Sequence, residues 1–139
     1  YLAIYIQKPI IETYLEELKD ILGDEYDTYI NLQRERDFNE HHITVINVMD
    51  YNRLCKENGI SKFITSIDSF MKYPITDLKI IGLGTASKDT NKSYFVVCES
   101  DKLKAIRDSY GLPIQDFHIT LGFKYKDVFG VRKNILLEK

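Results

Sequence analysis

The chain has 139 residues, a length typical of one compact domain with a sizeable buried core. Apolar residues make up 44% of it and charged residues 29%. No apolar run approaches the roughly 20 residues of a membrane helix, so we expect a soluble protein without a membrane span or a signal peptide. A formal charge of −2 argues against an extended surface for duplex nucleic acid, which needs many Lys and Arg contacts to phosphates, yet it permits binding of a small phosphate ester.

The first 40 residues combine a strand, a helix and a polar segment. Residues 2–6 are rich in β-forming side chains and predict a strand. Pro9 then fits the first turn of a helix whose apolar residues recur at helical spacing up to Leu22, and Gly23 ends it. Residues 24–40 are polar, and a short strand is predicted within them at 28–32.

The next segment predicts a strand at 41–48 followed by two helices. Asp50 is the predicted N-cap of the first helix, which ends at Gly59. The second helix, at 61–71, carries its apolar residues on one side, and Pro74 stops it.

The second half repeats the order of strands and helices. Strands at 78–83 and 93–99 are joined by a polar turn at 87–91, a helix follows at 101–110, and a strand at 117–125 comes last. This pattern predicts one α+β domain over 1–139, built from two antiparallel-sheet lobes with outer helices at approximately 1–75 and 76–139. The strands at 41–48 and 117–125 would face each other across a central groove.

One short motif occurs in both of those strands, as His42-Ile43-Thr44 and as His118-Ile119-Thr120. Successive side chains of a strand alternate between its two faces, so His42 and Thr44 share one face. By the same alternation, His118 and Thr120 share a face with Gly122. Each strand would therefore bury an apolar face and present an imidazole and a hydroxyl on the other.

The two motifs favour chemistry at phosphorus. Two histidines near neutral pKa can act as the general base and general acid of an in-line displacement, and nearby Thr hydroxyls can hydrogen-bond the non-bridging phosphate oxygens. Nothing in this scheme requires a metal or another cofactor. The structural alternative is a pair of half-exposed strand histidines without a catalytic role.

Two side chains near the motifs bear on this phosphate-site interpretation: His41 offers a competing metal site, and Lys124 offers a further phosphate contact. His41, together with His42 and His118, would supply three imidazoles for zinc, but adjacent strand residues point to opposite faces and could not share an ion without a bulge. Lys124 has the same parity as His118 and Thr120 and could reach a phosphate.

Three further features leave alternatives open. The segment 124–139 is mostly basic, and it is either a solvated tail or a contributor to anion binding. Tyr94 and Phe95 are either core aromatics of a strand or stacking partners for a base. Cys55 and Cys98 lack C-x-x-C spacing, which favours free thiols in a cytoplasmic protein, and we expect a monomer.

The motif segments 42–45 and 118–121 resemble the paired His-x-Thr signatures of the 2H phosphoesterase superfamily, which includes the LigT-like RNA ligases and 2′,3′-cyclic phosphodiesterases. The likeness also covers the opening strand and helix at 2–22, the strand at 78–84 and the helix before Pro113. The polar insertion at 24–40 and the extension after Phe123 depart from the family pattern and leave the substrate open.

The resemblance implies a bilobal fold and a metal-independent phosphodiesterase acting on a 2′,3′-cyclic phosphate or a related nucleotide or RNA-end phosphodiester. His42 and His118 would be its acid and base, and Thr44 and Thr120 would bind the phosphate. We favour His118 as the base that activates water, although the residues alone do not decide this. The alternatives are a non-catalytic nucleotide or RNA-end binding module on the same fold, which would not need two proton carriers, and a structural or protein-interaction domain.

Overall fold

A computed structural model describes residues 1–137, so Glu138 and Lys139 of the basic segment lie outside the described residues. The strands are β1 Leu2–Ile6, β2 His41–Ile46, β3 Lys79–Lys88, β4 Asn91–Glu99 and β5 His118–Lys124. The α-helices are α1 Lys8–Leu22, α2 Tyr26–Asp37, α3 Val48–Asn58, α4 Ile60–Met71 and α5 Asp101–Ser109. A short 3₁₀ turn, Gly23–Glu25, links α1 to α2.

The described strands form one antiparallel sheet in the order β1-β2-β5-β4-β3, and the predicted α+β class is confirmed. The two motif strands, β2 and β5, are neighbours in this sheet, with Ile43 paired to Ile119. The two halves of the sheet therefore join side by side along the motif strands instead of facing each other. Both isoleucines are wholly buried, and pairing the strands lets their backbone groups hydrogen-bond within that apolar setting.

The helices cover one face of the sheet, and all five contribute to one apolar core. Side chains from the helices and from the inward positions of the strands form this core, among them Ile11, Leu18, Ile30, Ile43, Val45, Leu54, Phe63, Val96, Leu103, Ile106 and Ile119. A smaller cluster of four residues lies apart from it, and consists of Ala86, Phe95, Val97 and Val128. His42 and Thr44 alternate with core residues along β2, so they point to the face away from the helices.

Helix α1 agrees closely with its prediction, whereas the cap of α3 does not. Pro9 lies in the first turn of α1, and the helix ends at Gly23, whose φ of 55° suits glycine. Asn47 is the N-cap of α3, because its side-chain oxygen accepts the backbone N–H of Asp50 at 2.8 Å. Asp50, the predicted cap, instead lies in the first turn of that helix.

The strand predicted at 28–32 is wrong, because these residues belong to α2. Tyr29, Ile30 and Gln33 are its buried residues, a spacing that matches one face of a helix. Gln33 is fully buried, and its amide donates to the carbonyl oxygen of Glu40 at 2.9 Å. The β-forming side chains at 28–30 were misleading because burial of a helical face outweighs a small intrinsic preference.

A bulge in β5 changes the alternation of its side chains. Thr120 pairs with Phe95 and Gly122 pairs with Tyr94, which leaves Leu121 as an extra residue. The bulge moves Gly122 to the helix side, where it lies against Tyr29 of α2. The predicted shared face of His118, Thr120 and Gly122 is therefore wrong at the glycine.

Arg107 of α5 connects the two halves behind the motif strands. Its guanidinium is buried and donates to the carbonyl oxygen of Val45 in β2 at 2.8 Å. Two more bonds, of 3.0 and 2.9 Å, reach the carbonyl oxygen of Pro113 in the loop before β5. Among residues 1–137, no helix has the length and apolar character needed to cross a membrane.

Candidate functional site

The four motif side chains, His42, Thr44, His118 and Thr120, line one groove on the face of the sheet opposite the helices. The antiparallel register that pairs Ile43 with Ile119 places each histidine opposite the threonine of the other motif. The two histidines are then diagonal neighbours, a relation in which the residues lie about 7–8 Å apart and their Cβ atoms somewhat closer. That spacing leaves room for one phosphate group between two imidazoles.

The groove has a volume of about 720 Å³ and walls of mixed character. Polar walls come from the end of α2, with Arg36 and Asp37, and from the loop before β5. The segment 127–133 after β5 forms a further wall that carries both apolar and charged groups. Its lining residues are Asp127, Val128, Phe129, Gly130, Val131, Arg132 and Lys133.

The orientation of His118 is set by Asp116, two residues before it. Nδ1 of His118 donates to the backbone carbonyl oxygen of Asp116 at 2.9 Å, because a carbonyl can only accept. The neutral ring consequently has its lone pair on Nε2. The carboxylate of Asp116 also holds Arg132 at 2.6 Å and the backbone N–H of Lys133 at 3.0 Å, so this residue connects His118 to the 127–133 wall.

Both motif histidines are biased towards the neutral form. Burial lowers the pKa of His118 to about 4, and the positive charge of Lys133 acts in the same direction. Burial also lowers the pKa of His42, with Asp37 opposing the shift and Arg36 reinforcing it. A neutral His118 with a free Nε2 has the state required of a general base.

An ion cluster lies beside the histidines, in which Asp127 and Lys133 are buried and Arg36 is partly exposed. Asp127 pairs with Arg36 through one carboxylate oxygen and with Lys133, at 3.2 Å, through the other. Burial would raise the pKa of Asp127, but these two cations outweigh it and hold the pKa below its ordinary value. Arg36 also binds Asp37 at 2.8 Å.

Lys124 does not lie on the face of His118 and Thr120, and the prediction that it shares their face is wrong. The bulge in β5 turns it to the helix side, where its ammonium pairs with Glu25 at 3.3 Å. It is not among the residues that line the groove. The structure gives no support to Lys124 as a phosphate contact.

His41 lies on the opposite face of β2 from His42, as the alternation predicted. It is buried, and it does not line the groove. Within the described part of the chain, no group of three or more His, Cys, Asp or Glu side chains is placed to hold a metal ion.

The structure places Tyr94 and Phe95 and the described part of the basic segment 124–139, for which the sequence left two interpretations each. Tyr94 and Phe95 are buried strand aromatics, and the ring of Phe95 lies against His118 with centroids 5.5 Å apart. Of the basic segment, Lys126 is exposed, whereas Lys133 is buried and lines the groove.

Sequence reasoning missed Arg36, Asp37, Asp116 and Asp127 as groove residues. Arg36 and Asp37 enter the groove only because α2 is a helix, and the strong helix formers at 32–36 were the available signal. Asp116 stands two residues before His118, and its main role there is through the backbone, which no sequence motif reveals.

Comparison with known proteins agrees with this geometry. The family model described as Swiss Army Knife, 2H phosphoesterase domain, matches residues 9–129, a range that contains both His-x-Thr motifs and most of the groove. Searches of curated proteins and of solved structures returned no match. Because the family model spans most of the chain, the protein belongs to the Swiss Army Knife family of 2H phosphoesterases.

Proposed function

We propose that the protein is a metal-independent phosphodiesterase that hydrolyses a 2′,3′-cyclic phosphate or a related nucleotide or RNA-end phosphodiester. Family membership supports a phosphoesterase, and the observation that carries the finer proposal is the convergence of two His-x-Thr motifs in one groove. Two proton carriers and two hydroxyl donors in one groove are groups that an in-line displacement at phosphorus can use.

In the proposed reaction, His118 is the general base and His42 the general acid. Nε2 of His118 takes a proton from a water molecule as its oxygen attacks phosphorus. The bond from phosphorus to O3′ breaks, and His42 donates a proton to O3′. The product is a 2′-phosphate with a free 3′-hydroxyl, and proton exchange with solvent restores both histidines.

Thr44 and Thr120 hold the non-bridging oxygens, where negative charge grows in the transition state. Thr44 lies opposite His118 and Thr120 opposite His42, so each proton transfer takes place next to a hydroxyl from the other strand. This crossed arrangement supports binding of one phosphate by both strands together.

A substrate panel tests the proposal. Nucleoside 2′,3′-cyclic phosphates, RNA ends with a cyclic phosphate, 2′,5′-oligonucleotides, cyclic oligonucleotides and ADP-ribose cyclic phosphate would be incubated with the protein, with and without EDTA. Phosphorus NMR would then locate the product phosphate. We expect a 2′-phosphate product at a rate that EDTA does not change.

Two outcomes would contradict the proposal. Loss of turnover in EDTA with recovery on adding zinc or magnesium would reject the metal-independent mechanism. Tight binding of a nucleotide whose phosphodiester is recovered intact from pH 5 to 9 would assign the alternative, a binding module on the same fold.

A further inference from the structure

Lys133 is the most deeply placed cation of the groove. Its side chain is 7% exposed, and it lines the groove together with His118 and Thr120. Its ammonium lies 5.8 Å from the centre of the Phe95 ring, and the same ring contacts His118. Lys133 and the proposed base therefore lie around one aromatic side chain.

The ammonium of Lys133 has hydrogen-bonding capacity left over. A lysine ammonium has three N–H donors, and within residues 1–137 its one hydrogen bond is to Asp127 at 3.2 Å. The Phe95 and Phe129 rings flank it, at 5.8 and 5.7 Å, and rings replace lost hydration of a cation only in part. A buried cation with unfilled donors is costly unless a further acceptor reaches it.

Asp127, the partner of Lys133, is more fully hydrogen-bonded than the ammonium. One oxygen of Asp127 accepts from Lys133 and from the backbone N–H of Val128, and the other accepts from Arg36. The carboxylate is thus engaged on both sides, while the ammonium has donors free. Both side chains line the groove, and Lys133 is the partner with unfilled donors for an acceptor that enters near His118.

We propose that Lys133 is a further catalytic residue, whose ammonium binds a non-bridging oxygen of the substrate phosphodiester beside His118. The inference rests on the proposed function. It adds a positive charge to the two hydroxyls that face the negative charge growing on the non-bridging oxygens. It also distinguishes Lys133 from Lys124, which is paired to one carboxylate at a similar distance but lies on the helix side.

The test compares Lys133→Met with Lys133→Arg and with the matched control Lys124→Met. Each variant would be assayed for uridine 2′-monophosphate binding and for hydrolysis of the two diastereomers of uridine 2′,3′-cyclic phosphorothioate. In each diastereomer, sulfur replaces a different non-bridging oxygen. Thermal unfolding would confirm that each variant is folded.

We expect Lys133→Met to weaken nucleotide binding and kcat/KM by about 10- to 100-fold, the size of a lost hydrogen bond to a charged group. The wild-type protein should prefer one diastereomer, and Lys133→Met should bring the ratio of the two rates closer to one. Lys133→Arg should recover part of the activity, and Lys124→Met should keep both the rate and the ratio.

A second measurement tests the contact between Lys133 and the phosphate in the wild-type protein, and therefore does not require that the Lys133→Met variant folds. The Nζ resonance of Lys133 should shift when uridine 2′-monophosphate is added, and that of Lys124 should not. Unchanged binding and an unchanged diastereomer ratio in folded Lys133→Met, or an unmoved Lys133 resonance at saturation, would overturn this inference alone. A wild-type protein that neither binds nor hydrolyses any diester of the panel would overturn the proposed function and this inference with it.

Discussion

His42 and His118 have different surroundings, although their motifs are the same. His118 is fixed by the carbonyl oxygen of Asp116, and burial lowers its pKa to about 4. His42 lies near the rings of Tyr1 and Tyr5, with centroids 5.9 and 6.0 Å away, and its pKa is lowered by burial. Two identical motifs thus place their imidazoles in different environments, and such differences are how one acid and one base can be obtained from the same residue type.

The lowered pKa values predict an acidic optimum. As the base, His118 must be unprotonated, so kcat/KM should fall as the pH drops through about 4. As the acid, His42 must be protonated, so kcat/KM should fall as the pH rises through its pKa, which lies below 6.5. We therefore expect a bell-shaped profile with its maximum between these limits.

Initial rates from pH 3.5 to 9 on the best substrate of the panel would measure this profile. His42→Ala should remove the alkaline limb from the residual activity, while His41→Ala, on the other face of β2, should keep both limbs. An optimum above pH 7 would contradict the assignment of acid and base.

Removing either His42 or His118 should lower kcat about as much as removing both. We expect His42→Ala and His118→Ala each to lower kcat by at least about 100-fold, and the double variant to be little worse, because concerted acid and base effects are not additive. Thr44→Ala and Thr120→Ala should each have a smaller effect and raise the activation free energy by about 1–3 kcal/mol. Independent, multiplying losses for the two histidines would argue against concerted catalysis.

The motif residues could be predicted because strand alternation fixes which side chains share a face, and both motifs are short enough to escape the bulge. Arg36 and Asp127 could not, because their contact joins positions 91 residues apart in the sequence. Such pairing depends on where α2 and the 127–133 wall come to lie, which no local pattern determines.

At the scale of secondary structure, α2 and β5 are packed together unusually closely at Gly122. A Cβ atom there would lie 2.9 Å from the backbone carbon and oxygen of Tyr29. The bulge at Leu121 is what turns this position towards α2. The same helix carries Arg36 into the groove, so the contact at Gly122 helps to position a wall of the site.

Gly122→Ala should therefore destabilise the protein by about 1–3 kcal/mol, because backbone atoms cannot easily give way to the new methyl group. Urea denaturation followed by far-ultraviolet circular dichroism would measure the loss, with the exposed β3 residue Ser87 replaced by Ala as the control. Unchanged stability of Gly122→Ala would mean that α2 does not approach β5 as closely as described.

The same two elements show where sequence interpretation failed. Residues 28–30 suggest a strand by composition, yet their burial pattern is helical, and propensity is a weaker force than burial of a face. The parity of Lys124 was inferred by counting along β5, and one extra residue at Leu121 reversed it. Counting alternating side chains cannot detect a bulge such as the one at Leu121, because no turn residue in the sequence marks it.

At the scale of the whole molecule, the two halves share one core. Ile11 and Phe63 of the first half and Leu103 and Ile119 of the second belong to the same apolar cluster. The division into lobes near residue 75 remains a prediction about topology. Because the cluster spans both, we expect the lobes to unfold together in one transition.

Coincident urea curves from tyrosine fluorescence and circular dichroism would establish this cooperativity, since the chain has no Trp and ten Tyr residues spread over both halves. Two resolved transitions would show instead that the lobes are independent units held together mainly by the contact of β2 with β5.

Arg107 should be the polar link on which this cooperation depends. Its guanidinium donates to carbonyl oxygens of Val45 and Pro113, one in each half, so Arg107→Met would leave both acceptors without this donor while keeping most of the side-chain volume. We expect a loss of stability of about 1–3 kcal/mol, and a lower kcat because β2 and the loop before His118 would no longer be held in register.

Arg53→Met, which removes an exposed arginine of α3, should change stability by less than about 0.5 kcal/mol. If Arg107→Met matched that control in both stability and activity, the alignment of the two motifs would have to come from the strand pairing at Ile43 and Ile119 and not from the buried guanidinium behind it.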